Sequence, residues 1–136
     1  MKPLIVDTGF LVAFGRRGDP LHASADAFLR GYAGRLITVA PVIVETCFFL
    51  GPQSKVRLLD WVRSGAIGVV EVVADGYPDV ARIILRYADR DIDLADAALI
   101  WLADRTGARS ILTVDRKDFA IYRLAGRRRF DVVDWM

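Results

Sequence analysis

Cysteine, histidine and lysine are all scarce in this 136-residue chain, and each scarcity narrows what it can do. The single cysteine, Cys47, cannot close an internal disulfide, and its neighbours Phe48, Phe49 and Leu50 point to packing instead of thiol chemistry. The one histidine, His22, falls on an early helical segment and is expected at a surface or an interface. Lysine occurs only at positions 2, 55 and 117, so arginine supplies nearly all of the 19 basic residues. Its planar fork suits phosphate, although a net charge of +2 falls short of a strongly basic footprint. Long apolar runs are absent too: Ala97 to Ala103 is far below the roughly 20 residues of a membrane helix. Met1 to Phe14 has neither a basic leading region nor a small-residue cleavage site. A soluble cytoplasmic protein is expected. There are no repeats, low-complexity tracts or linkers long enough to divide domains, so residues 1–136 are expected to form one domain.

What is present is an alternation of strand and helix signals. Strands are predicted over Leu4–Asp7, Leu36–Ala40, Ile67–Val73, Ser110–Val114 and Phe130–Val133. Helices are predicted from Thr8 onward, with Thr8 as a cap, then over Leu21–Tyr32, Pro41–Leu50, Ser54–Ser64, Tyr77–Tyr87, Asp93–Thr106 and Arg116–Leu124. Such an order implies an α/β fold with a mostly parallel sheet of about five strands, flanked by helices.

Two of the predicted strands stop on an acid, Asp7 and Asp115. The carboxyl ends of strands are where ligands collect in open α/β sheets. Helix capping is the competing account, since Asp93-x-x-Asp96 and Asp115-x-x-Asp118 both have the spacing of a cap and a first-turn acid. Asp96 lies on a helix that is apolar nearly all round, with Leu99, Ile100 and Ala103 as its neighbours one and two turns on. Glu45 is the only ionisable residue from Pro41 to Leu50, and Phe48 and Phe49 follow it at helical spacing. A carboxylate on an apolar surface is costly unless it is paired or bound to a metal. Either a distant arginine or a divalent cation would resolve it.

Together, Val6-Asp7-Thr8-Gly9, Glu45 within Val44-Glu45-Thr46, Asp93-Leu94-Ala95-Asp96-Ala97-Ala98-Leu99 and Leu112-Thr113-Val114-Asp115-Arg116-Lys117-Asp118-Phe119 resemble the PIN-domain family, and within it the VapC-type toxins of toxin–antitoxin pairs. The resemblance covers essentially the whole chain. It implies a single PIN-like domain and an endoribonuclease that hydrolyses RNA phosphodiester bonds with Mg²⁺, or with Mn²⁺ in its place. It further implies that Asp7, Glu45, Asp96 and Asp115 are the catalytic acids, with Asp7 and Asp96 as principal metal ligands and Glu45 and Asp115 orienting water or a second ion. Thr8 and Thr113 would support the aspartates, and Asp118 would be a capping acid or an outer member of the site. Implied partners are RNA, a small antitoxin whose tail places an arginine among the acids, and a second copy of the chain.

Arg16, Arg17, Arg116, Lys117, Arg123 and Arg127-Arg128-Arg129 are candidate RNA contacts, the last run also reading as a solvated turn before the final strand. Phe14, Phe28, Tyr32 and Phe48 are candidates for an interface or for the core. A PIN nuclease outside a toxin–antitoxin pair, a non-catalytic PIN-like module and a phosphoacceptor domain remain alternatives. The poorly placed lysines speak against the phosphoacceptor.

Overall fold

The computed structural model describes residues 2–136. Short runs of β-branched and leucine residues form the strands: β1 (Leu4–Val6), β2 (Leu36–Val39), β3 (Gly68–Val70), β4 (Ser110–Leu112) and β5 (Asp131–Val132). They make one sheet in the order β3-β2-β1-β4-β5, and every pairing is parallel. β1 and β2 are buried at every position, the pattern of a sheet covered on both faces.

The helices are α1 (Thr8–Gly15), α2 (His22–Arg30), α3 (Ala40–Phe48), α4 (Pro52–Ser64), α5 (Tyr77–Arg86), α6 (Leu94–Thr106) and α7 (Arg116–Ile121). Pro52 opens α4 at its first turn, where its missing N–H costs nothing, so this helix begins two residues before the predicted Ser54. Strand ends contract as well. β3 stops at Val70 and β4 at Leu112, leaving Thr113, Val114 and Asp115 as a turn between sheet and helix. Asp115 therefore does not end a strand as Asp7 does.

α6 is the central helix. Ala95 and Ala97 to Ala103 are all buried, and it packs against α5, β2 and α3. Gly107, with φ 76°, closes it in the left-handed conformation that glycine adopts without strain.

The strand order reverses at β1, from which the chain runs outward to β2 and β3 on one side and to β4 and β5 on the other. Such a switch point opens a crevice beyond the carboxyl ends of the two central strands, here β1 and β4. Gly9 allows the first turn of α1 to lie against the β4 turn, because a Cβ at Gly9 would overlap the Val114 side chain. Gly9→Ala is expected to separate these two segments and to cost about 1–3 kcal/mol in chemical denaturation. Full stability in that variant would mean that Val114, which is half exposed, moves aside freely.

Candidate active site

Three helix N-termini open onto the crevice, and each carries acids. Asp7 is the N-cap of α1, its Oδ1 accepting from the Thr8 N–H at 2.7 Å. Thr8 is therefore not the cap predicted from the sequence. Its hydroxyl instead donates to Glu45 Oε1 at 2.8 Å, joining α1 to α3. Asp93 caps α6 by accepting from the Asp96 N–H, and Asp115 caps α7 by accepting from the Asp118 N–H. Capping and site formation are thus not alternatives: Asp7 and Asp115 serve as caps and also line the crevice, while Asp93 takes the cap of α6 and frees the Asp96 carboxylate.

Thr113 fastens the two central strands together. Its hydroxyl is fully buried, donates to Asp7 Oδ2 at 2.8 Å and accepts from the Asp115 N–H at 2.9 Å. Behind it, the buried Trp135 indole donates to the Thr113 carbonyl at 3.0 Å and stands edge-on to Phe10 at 4.8 Å. On the other side of the crevice the Tyr122 hydroxyl donates to Asp96 Oδ2 at 2.7 Å. A network running Glu45, Thr8, Asp7, Thr113, Asp115 therefore spans α3, β1, β4 and α7, and Asp96 faces it from α6.

The electrostatics are those of crowded acids without a counter-charge. Burial pushes the Asp7 carboxyl up to about 6, against the pull of its bonds from Thr113 and Thr8, and the charges of Glu45 and Asp93 add to the rise. Asp96 is pushed up to about 8, first by burial and then by the charge of Asp7; the Tyr122 hydrogen bond pulls the other way, and Asp93 and Asp115 add smaller rises. Burial also raises Asp115, with Arg90 among the opposing influences. The Tyr122 phenol is raised by burial and then by Asp96.

No basic side chain pairs with Asp7, Glu45, Asp96 or Asp115 among the described residues; the ion pairs there use Asp26, Asp79, Asp118 and Asp134. The salt bridge to a distant arginine, one of the two accounts open for Glu45, is thus absent. A hard divalent cation fits this donor set, since it would satisfy carboxylate oxygens that now repel one another. No three acid, histidine or cysteine side chains among the described residues gather closely enough to enclose an ion by themselves.

Glu45 reaches this network for a different reason from the one its sequence suggests. Val44, Phe48 and Phe49 are exposed, Phe48 by 80%, so α3 does not bury its acid among core residues. Val42 and Thr46 are buried and Ile43 packs partly against the core, and the Thr8 hydroxyl is what draws Glu45 to the site.

A PIN domain family model matches residues 4–126. The chain belongs to the PIN-domain family. It is 32% identical over 134 residues to ribonuclease VapC26 of Mycobacterium tuberculosis, covering 96% of this chain and 99% of that protein. Among solved PIN-like folds, the M. tuberculosis toxin VapC20, which cleaves the sarcin–ricin loop, superposes with a TM-score of 0.73 at 24% identity, over 79% of this chain and 86% of the other. A toxin–antitoxin complex from Klebsiella pneumoniae gives a TM-score of 0.61 at 16% identity, over 98% of both chains.

The basic candidates around this PIN-domain pocket divide by position. Arg116 and Lys117 follow Asp115 at the start of α7, with Arg116 paired to Asp134 at 2.9 Å. Arg123 spends its guanidinium on the carbonyls of Ala120, Ile121 and Tyr122. Arg127 to Arg129 form the solvated turn ahead of β5, and Arg17 lines a separate cavity beside α1. Arg90, which nothing in the sequence singled out, holds Asp118 at 3.0 Å and lies close enough to lower Asp115. Asp118 is accordingly both the first-turn acid of α7 and the tether of Arg90.

Proposed function

We propose that this chain is a divalent-metal-dependent ribonuclease that hydrolyses RNA phosphodiester bonds and acts as the toxin of a toxin–antitoxin pair. The observation that carries the chemistry is the unpaired set Asp7, Glu45, Asp96 and Asp115 at the β1/β4 switch point, with Asp7 and Asp96 raised first by burial and then by neighbouring acids. Asp7 and Asp96 would hold Mg²⁺ or Mn²⁺, and Glu45 and Asp115 would orient water or a second ion. When bound, the cation lowers the pKa of water, polarises the phosphoryl oxygen and steadies the leaving oxygen. The protein's own part is positional. Thr8 and Thr113 hold three of the acids in register, and Arg90, Arg116 and Lys117 on the rim would receive backbone phosphates of a single-stranded or looped RNA.

The toxin role is supported by the kinship with VapC26 over nearly the full length of both chains. An antitoxin whose tail reaches the acids would find a further seat in a cavity of about 420 Å³ between α1, α2 and α4, floored by Leu11, Phe14, Leu58 and Trp61 and edged by Arg17 and Arg57. Phe14 and Trp61 stack there at 5.1 Å. The exposed Val44, Phe48 and Phe49 of α3 offer a face for a second copy, whereas Phe14, Phe28 and Tyr32 pack against the core. Among the described residues no helix is long and apolar enough to cross a membrane.

Labelled RNA incubated with the purified chain in Mg²⁺ or Mn²⁺ tests the nuclease reading. Cleavage is expected to stop with chelator and to return with added metal, and Asp7→Asn is expected to be inert in either ion. Cutting that persists through both treatments would sink the proposal.

A further inference from the structure

Tyr122 follows the last residue of α7 and sends its hydroxyl back to Asp96 Oδ2 at 2.7 Å. Among the described residues this is the only hydrogen bond to the Asp96 carboxylate. The tyrosine is 2% exposed, and its ring is fixed edge-on by Phe119 at 5.1 Å and by Tyr87 at 5.2 Å. Tyr87 is itself held, its hydroxyl accepting from the Arg123 N–H at 2.7 Å. The six-residue helix α7 therefore has an acid of the pocket at its front, Asp115, and the clamp on another acid at its rear.

Asp96 needs such a clamp. It projects from α6 toward Asp7, Asp93 and Asp115, whose charges favour swinging it away into water. Without a donor it would have to be ordered when an ion binds, at a cost in side-chain entropy and against repulsion. With Oδ2 engaged by a rigid phenol, Oδ1 is left for a cation.

Resting on the metal-dependent reading of this pocket, we propose that Tyr122 is a positioning residue that preorganises Asp96 for divalent-metal binding. It does so through α7, so that the acids from α6 and from the β4 turn keep one mutual arrangement. Hydrogen-bond partners of metal-binding carboxylates typically account for 10- to 100-fold in metal affinity.

The test uses full-length Tyr122→Phe, which keeps the ring contacts and removes only the hydroxyl, with Tyr32→Phe as a control that removes a tyrosine hydroxyl bonded to the Arg35 carbonyl, ahead of β2 at the opposite end of the sheet. Mn²⁺ binding, followed by electron paramagnetic resonance without RNA, is expected to weaken about 10- to 100-fold in Tyr122→Phe and to stay unchanged in Tyr32→Phe. Metal-free Tyr122→Phe should remain folded, its melting temperature lowered only by the loss of one hydrogen bond. In RNA cleavage, the Mg²⁺ concentration for half-maximal rate should rise by the same factor, KM for RNA should hold, and saturating metal should restore kcat. Parental Mn²⁺ affinity in Tyr122→Phe would overturn the proposal, as would equal weakening in Tyr32→Phe. If the parent protein itself binds no Mn²⁺, the metal reading and the role of Tyr122 fall together. If the parent binds Mn²⁺ but cuts no RNA, the nuclease reading falls, and the two binding curves still decide the role of Tyr122.

Discussion

Asp96→Asn is expected to abolish RNA cleavage and, in the absence of metal, to make the protein more stable at neutral pH. The asparagine keeps an oxygen for the Tyr122 hydroxyl and removes the charge that Asp7, Asp93 and Asp115 oppose. On the proposed reading Asp96 is a principal metal ligand, and its loss would remove several kcal/mol of transition-state stabilisation, about 10³-fold or more in rate. The stability change has a pH signature. In the folded protein Asp96 titrates near 8 and Asp7 near 6, both above the ordinary 3.8. The folded chain therefore binds more protons than the unfolded chain between about pH 4 and 8, and these two groups make it less stable as pH rises through that window.

The gap between Asp96→Asn and the parent should accordingly be near zero at pH 4, open through pH 5 to 7 and level off above 8. A shift of one pKa unit corresponds to about 1.4 kcal/mol, and after allowance for solvent screening of a half-buried carboxyl the final gap should be about 2–3 kcal/mol. Saturating Mg²⁺ should reverse the order, because the ion stabilises only the chain that binds it. Urea denaturation across pH, with and without Mg²⁺, measures all of this. An asparagine variant that is less stable than the metal-free parent at pH 8 would contradict the crowded-acid picture.

Thr113→Val should have the opposite effect, destabilising the protein while leaving every acid in place. Valine matches the shape of threonine, so the loss isolates one hydroxyl that donates to Asp7 and accepts from the Asp115 N–H. A hydrogen bond to a charged partner is worth about 1.5–3 kcal/mol, and an N–H left without a partner adds to the cost, for a total of about 2–4 kcal/mol at neutral pH. Removing the donor raises Asp7 further above its value of about 6, so its share of the loss is absent well below pH 6 and grows as pH rises through 6 and the carboxyl ionises. Cleavage should fall with stability, since the β1 and β4 ends lose their tie. Thr113→Ser keeps both bonds and should behave much like the parent. Equal stability of the serine and valine variants would show that the hydroxyl is not the tie.

The architecture was legible because each strand and helix carries its own local signal. β1 and β2 are continuous apolar runs, Asp93 and Gly107 bracket α6, and Pro41 and Pro52 stand in the first turns of α3 and α4. The four acids were legible as interruptions of those signals. The reason offered for Glu45 was not the one that operates, because apolar periodicity cannot distinguish a helix face turned to the core from one turned outward. Tyr122, Arg90 and Trp135 left no mark in the sequence, since an aromatic or a lone arginine in a mixed segment has many ordinary explanations. Their roles come from contacts 26, 28 and 22 residues away along the chain.

By itself, then, the sequence determined the order of elements, the parallel sheet they imply and which carboxylates are out of place, because burial pattern, capping and turn chemistry act over a few residues. Only the tertiary structure decided that the order reverses at β1, that Thr113 links the ends of β1 and β4, and that Asp96 is held by a tyrosine at the far end of α7. Those outcomes depend on which strands pair and which helix ends converge, and no local spacing encodes that.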